Sequence, residues 1–192
     1  MTDQKLTELD ELTAVDPADL VYIVDDPAGT PTAKKATVAN VYLGGMADVG
    51  VRAYHNADQT ITNTTNTTVA FNSEEYDTHS FHDLSTNNSR MTIPSGMGGK
   101  YILGFSCVTG AMAANTYFQA KFLLDGTTTI GQNKETVGAT EGSNGVVMSF
   151  SIIKELLAGS YVEVVVYHAS GGDETLHYYS AFTPFFWIQK VG

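Results

Sequence analysis

Two imidazoles and a carboxylate stand close together in His79-Ser80-Phe81-His82-Asp83, residue types able to ligate a divalent metal. On a strand, positions i and i+3 face opposite ways, so both rings reach one ion only where this piece is a turn or loop. Isolated surface histidines explain the same spacing, and no metal is assigned. The tight His-x-His pair with a following Glu that cupin-type metal sites use is missing. Gly96-Met97-Gly98-Gly99-Lys100 has the composition of a phosphate cradle without its G-x-x-x-x-G-K-S/T spacing. A β-prone run follows Lys100, so no helix N-terminus is offered to an anion and a tight turn is expected instead. There is no G-x-S-x-G, and one cysteine with five scattered histidines defines no nucleophile–base pair. Glu74-Glu75-Tyr76-Asp77 holds enough carboxylates for glycoside cleavage but reads more simply as a solvated polar loop. No catalytic residue and no cofactor are assigned, and the chain is read as a non-enzyme.

The elements that must position these residues are strands. From Val49 onward, short β-prone runs recur at Val51–His55, Thr67–Phe71, Arg90–Ile93, Tyr101–Val108, Tyr117–Leu124, Thr127–Gly131, Gly145–Ile153, Tyr161–His168 and Leu176–Ile188. Gly-, Asn- and Ser-rich turns divide them, among them Asp125-Gly126, a strong short-range hairpin signal. Helical periodicity is nearly absent, with Lys154-Glu155-Leu156-Leu157-Ala158 the single helix-like patch. This pattern predicts an antiparallel sandwich or jelly roll. Cys107 lies inside the apolar run 101–108, where a buried, inert thiol is expected.

With 192 residues, 43% hydrophobic and 16% charged, the chain can fill one core and is too apolar for general disorder. A net charge of −11 repels a phosphate backbone and an anionic lipid surface, so neither nucleic acid nor membrane is expected as a partner. The opening Met1-Thr2-Asp3-Gln4-Lys5 lacks the basic and apolar regions of a signal peptide, and assembly in a cytoplasm is expected. In residues 1–48, nine acidic residues stand against Lys5, Lys34 and Lys35, which is more than half of the net charge. Here Leu20–Val24 and Thr32–Thr37 are expected to form a hairpin about a type I turn at Asp26-Pro27-Ala28-Gly29, with a helical turn from Thr37 to Val41. A two-stranded hairpin is too small to stand alone, so this segment must dock on something. The runs Tyr161–Tyr167 and Ala181–Ile188 are almost continuously apolar, which predicts cover on both faces and points to a second subunit as the outer cover.

Specific residues then suggest a family. Phe71-Asn72-Ser73-Glu74-Glu75-Tyr76-Asp77, His82-Asp83, Asn88-Ser89-Arg90-Met91-Thr92-Ile93-Pro94 and Gly99-Lys100-Tyr101-Ile102-Leu103-Gly104 resemble the front half of C1q- and tumour-necrosis-factor-like jelly rolls. The ending Tyr179–Ile188 resembles their last strand. The stretches Lys5–Leu9, Leu20–Pro27 and Gly29–Val38 resemble the start of tailed-bacteriophage fibre and other virion proteins. Together the two resemblances imply a homotrimeric phage virion protein, with residues 1–48 attaching to the particle and residues 49–192 forming a jelly-roll head. The implied partners are further copies of itself and other virion proteins of capsid or tail, and the implied location is the virion, assembled in the host cytoplasm. Capsid decoration is favoured. The alternatives are a tail-fibre adhesin recognising a host surface glycan or protein and, more distantly, a jelly-roll enzyme or small-ligand binder. Candidate trimer-interface residues are Tyr54, Tyr179, Phe182, Phe185, Phe186 and Trp187; candidate attachment residues are Leu20, Tyr22, Val24, Lys34 and Lys35.

Overall fold

A computed structural model describes residues 18, 20–25, 32–37, 48–138, 145–180 and 184–191. The chain divides into two compact units, residues 1–47 and 48–192. In the first, β1 (Leu20–Asp25) pairs antiparallel with β2 (Thr32–Thr37), with Leu20 opposite Thr37 and Asp25 opposite Thr32. The expected turn at Asp26–Gly29 and the expected helix beyond Thr37 lie outside the described residues, while Thr37 itself ends β2.

Every regular element described in the second unit is a strand: β3 (Gly50–Tyr54), β4 (Gln59–Ile61), β5 (Thr67–Thr68), β6 (Ser73–Asp77), β7 (Arg90–Thr92), β8 (Gly99–Ala111), β9 (Tyr117–Leu124), β10 (Thr128–Thr136), β11 (Gly145–Leu156), β12 (Tyr161–His168), β13 (Glu174–Leu176) and β14 (Phe185–Lys190). One sheet runs β10-β9-β12-β5, with β7 also pairing β12. The other runs β4-β13-β8-β14-β3-β6, with β11 along the far side of β8. The pairings in both are antiparallel. Their inner faces meet in one apolar core, where Phe122 of β9 stacks on Phe186 of β14 at 5.5 Å and meets Phe150 of β11 at 4.7 Å.

Turn chemistry fixes the joints. Asp125 and Gly126 both have positive φ, 50° and 70°, which is the type I′ geometry that matches the twist of β9 and β10. The Gly96 segment is a tight turn: Met97 N–H donates to the Pro94 carbonyl at 3.0 Å, and Gly96 takes the positive φ of 75° that a type II turn needs at its third residue. A strand follows it, so no phosphate-binding helix terminus forms.

Three expectations require correction. Glu74–Asp77 is not a loop but most of β6, which pairs with β3; the bond is made by the main chain while Glu75 and Tyr76 stay exposed, so no apolar alternation marks it in the sequence. The helix-like Lys154-Glu155-Leu156 is the end of β11, because the 13-residue β8 offers partners as far as Gly99 opposite Leu156 and pairing overrides local propensity. The run 176–188 is split between β13 and β14, which pair with β8 at different levels, Leu176 at Thr109 and Phe185 at Ser106.

Candidate functional site

The residues with most to offer a partner lie on the outward face of the sheet formed by β11, β8, β14 and β3. Along β8 and β14 alternate side chains enter the core, leaving Ile102, Gly104, Ser106 and Val108, and Phe185, Trp187 and Gln189, on the other face. Cross-strand register sets them in rows. Ile153 lies opposite Ile102 and then Gln189; Ser151 opposite Gly104 and then Trp187; Ser149 opposite Ser106, then Phe185 and Tyr54; and Val147 opposite Val108. Val147 and Ile153 are 68% and 67% exposed, a high figure for β-branched apolar side chains in regular strand.

Two devices keep this face flat and nearly uncharged. The indole of Trp187 lies across Gly104, where a Cβ would overlap its Cε2, Cζ2 and Nε1 atoms, so glycine is the residue that admits the ring. The Arg52 guanidinium sits 4.4 Å from the Phe185 ring centroid and is ion-paired with Glu75, so its charge is compensated within the face. Glu155 and Lys100, at the rim, lie opposite each other in register. A chain of net charge −11 meets itself with least repulsion through such a charge-poor patch.

The expected interface residues fall into three groups. Tyr54, Phe185 and Trp187 are half-buried on this face, and Tyr179 is exposed nearby in sequence, its ring 5.5 Å from that of His177. Phe186 is a correction: it is 0% exposed, packed between Phe122 and Phe71 in the core, because β14 alternates and its even positions point inward. Phe182 lies outside the described residues. Sequence reasoning missed Ile102, Val108, Val147 and Ile153. The signal was present in β11: Met148, Phe150 and Ile152 already supply an inward apolar stripe at period two, which leaves Val147 and Ile153 surplus on the opposite face. Of the attachment candidates, Leu20, Lys34 and Lys35 are exposed on the β1–β2 hairpin, and Tyr22 pairs with Lys35 through its main chain; the side chains of Tyr22 and Val24 lie outside the described residues.

Two cavities flank β6. One, of 410 Å³, is lined by Arg52, Tyr54, Glu74, Glu75, Tyr178 and Phe185, together with Ser180. The other, of 530 Å³, includes Glu74, His82, Asp83, Leu84, Asn87 and Arg90 in its wall. The candidate metal residues do not converge there. His82 binds Glu74, His79 binds the Thr78 hydroxyl at 2.9 Å, and Asp83 accepts from Ser85 and from the Thr86 N–H, which hold its carboxyl below the usual range. Among the described residues no three His, Cys, Asp or Glu side chains are grouped as a metal would need. Cys107 is fully buried in the core, and that burial raises its thiol far above the ordinary range.

No protein-family model matches the chain, and no curated protein matches it in sequence. Solved structures do. The Eiger TNF of S. frugiperda superposes with a TM-score of 0.52 at 12% identity over 76% of this chain and 93% of that one. The globular domain of zebrafish complement 1qA superposes with a TM-score of 0.51 at 14% identity over 76% of this chain and 98% of that one. The fold is an all-β, antiparallel jelly roll of the C1q/TNF type.

Proposed function

We propose that this chain is a homotrimeric, non-enzymatic structural protein of a phage virion. Residues 1–48 attach it to the particle, and residues 49–192 form the displayed head in a capsid-decorating role. The observation that carries the self-association is the charge-poor outward face of β11, β8, β14 and β3. On it Val147, Ile153, Ile102, Trp187 and Phe185 present apolar surface that gains about 25 cal/mol per Å² once covered, before the costs of association are subtracted. Three copies of such a face close on one another about a threefold axis and leave the loops outward.

The virion setting is supported by the likeness of residues 5–38 to the starts of fibre and virion proteins, and by the acidic two-stranded hairpin that needs a docking partner. Its chemistry is binding and scaffolding. Lys34 and Lys35, basic in an acidic segment, are the residues that fit an acidic docking surface. Immunogold labelling of virions is expected to decorate the head. A chain lacking residues 1–48 is expected to fold and to lose particle binding; binding at wild-type occupancy would refute the attachment role, and exclusive tail labelling would replace decoration by adhesion.

A further inference from the structure

The sheet opposite the self-association face, β10-β9-β12, has an outward surface of a different kind. β9 alternates, sending Phe118, Ala120 and Phe122 into the core and leaving Tyr117, Gln119 and Lys121 outside. Register places Lys134 of β10 and Tyr167 of β12 on either side of Gln119, and Gln132 of β10 beside Lys121. Lysine and glutamine therefore alternate both along and across the strands, a checkerboard of N–H donors with two tyrosines beside it. Contacts among these side chains fix the arrangement. Gln119 Nε2 donates to Gln132 Oε1 at 3.2 Å, which leaves the Gln132 amide N–H groups and the Gln119 carbonyl oxygen to serve a ligand. The Lys134 ammonium lies 3.6 Å from the Tyr117 ring centroid, and that ring packs at 25° to the Tyr167 ring with centroids 5.8 Å apart. Tyr117 thus positions both a cation and a second ring.

Charge singles this face out. Over the whole chain 21 acidic residues outnumber 10 basic ones, yet here Lys121, Lys134 and, at the β7 end, Arg90 stand against Glu163. Glu163 lies opposite Arg90 and accepts from the Ser89 hydroxyl at 3.0 Å. Glu135, next to Lys134, is opposite the inward Phe118 and accepts from the Asn133 amide at 3.1 Å, so it belongs to the other side of the strand. Asp125, at the β9–β10 turn, accepts from the Tyr161 N–H at 2.9 Å. Among the described residues neither Lys121 nor Lys134 has an ion-pair partner. Acids elsewhere on the molecule are screened over about 8 Å at physiological ionic strength, so a ligand on this face meets its local positive charge. Ammonium groups without carboxylate partners complement an anion, while tyrosine rings and amides suit a flat ligand rich in hydroxyls. A chain of acidic sugars combines the two. A nucleic acid does not fit as well, because its closely spaced phosphates call for many cations and its field reaches the acidic remainder of the chain.

We infer that the outward face of β10, β9 and β12 is a binding platform for an acidic polysaccharide, whose sugar rings pack on the Tyr117–Tyr167 pair and whose carboxylate or sulfate groups are held by Lys121 and Lys134. The inference goes beyond scaffolding and stands apart from the trimeric and virion readings, because it uses the other sheet. Isothermal titration calorimetry of the full chain tests it, with alginate, dextran sulfate, neutral dextran and a single-stranded DNA oligonucleotide as probes at low and at physiological salt. Alginate or dextran sulfate is expected to bind, more weakly as salt rises, and neutral dextran is not. The double variant Lys121→Gln, Lys134→Gln is expected to weaken binding about tenfold. Lys154→Gln with Lys190→Gln removes the same charge from the other sheet and is expected to bind as the wild type does. Tyr167→Leu keeps apolar bulk, removes the ring and is expected to weaken binding about fivefold. Absence of binding to both acidic polysaccharides overturns the inference, as does equal weakening by the two lysine pairs. DNA bound as tightly as dextran sulfate, or an unchanged affinity in Tyr167→Leu, also overturns it, since either would mean attraction of any polyanion. Circular dichroism checks the fold of each variant, and should Tyr167→Leu not fold, the two lysine pairs and the DNA comparison decide.

Discussion

Gly104 and Trp187 show how one small residue shapes a surface. With hydrogen in place of a side chain, Gly104 lets the indole lie flat across β8, and any Cβ there meets three ring atoms. Gly104→Ala is therefore expected to lift Trp187 off the sheet and to cost about 1–3 kcal/mol, as overpacking typically does. Because Trp187 is the sole tryptophan, its emission should shift to the red while the urea midpoint falls. An unchanged spectrum would show that the ring is not held by this contact. Asp58 gives a second residue-scale test. The Tyr178 N–H, 2.7 Å away, lowers its carboxyl below the usual range, burial opposes part of this, and the His177 ring at 3.2 Å adds to the lowering. A carboxyl lowered by folding contributes stability above its unfolded value near 3.9 and loses it as the pH falls through the lower folded value. Asp58→Asn is thus expected to flatten the loss of stability below about pH 4, by a small amount because the group is exposed. An acid limb as steep as in the wild type would refute this.

At the scale of elements, β11 is decisive, because it is a sheet edge whose outward side carries Val147 and Ile153. The pair Val147→Lys and Ile153→Lys is expected to leave the monomer fold and its circular dichroism intact, since neither side chain reaches the core, while abolishing self-association. Loss of the fold would mean that these residues support the sheet itself. Strand reading from sequence did best where a strand has one buried face and a definite turn: β9 and β12 were legible to the residue, and Asp125-Gly126 named its own hairpin. It failed where pairing is made by main chain alone, as in β6, or where a long partner extends a strand through residues of helical preference, as in Lys154-Glu155-Leu156. The outward face of the sheet was half legible. Aromatic content pointed to β14, but the period-two alternation that sends Phe186 inward and leaves Phe185 and Trp187 outside has to be applied residue by residue. The Glu74–His82 pair is separated by eight residues and a strand end, and nothing in the chain's spacing brings these side chains together.

Across the whole molecule, a net charge of −11 opposes self-association, while the outward face of β11, β8, β14 and β3 carries its charges paired or at the rim. The inner faces of the two sheets supply the core of one jelly roll, so the outward aromatic and aliphatic surface is available for assembly, not consumed by folding. Self-association through this face is the claim on which the trimeric head rests. Light scattering of the full chain at micromolar concentration tests it most directly. The expected result is a mass about three times the 20.6 kDa of one chain, returning to that of a single chain when Val147 and Ile153 are both replaced by lysine. A wild-type mass of 20.6 kDa would contradict it.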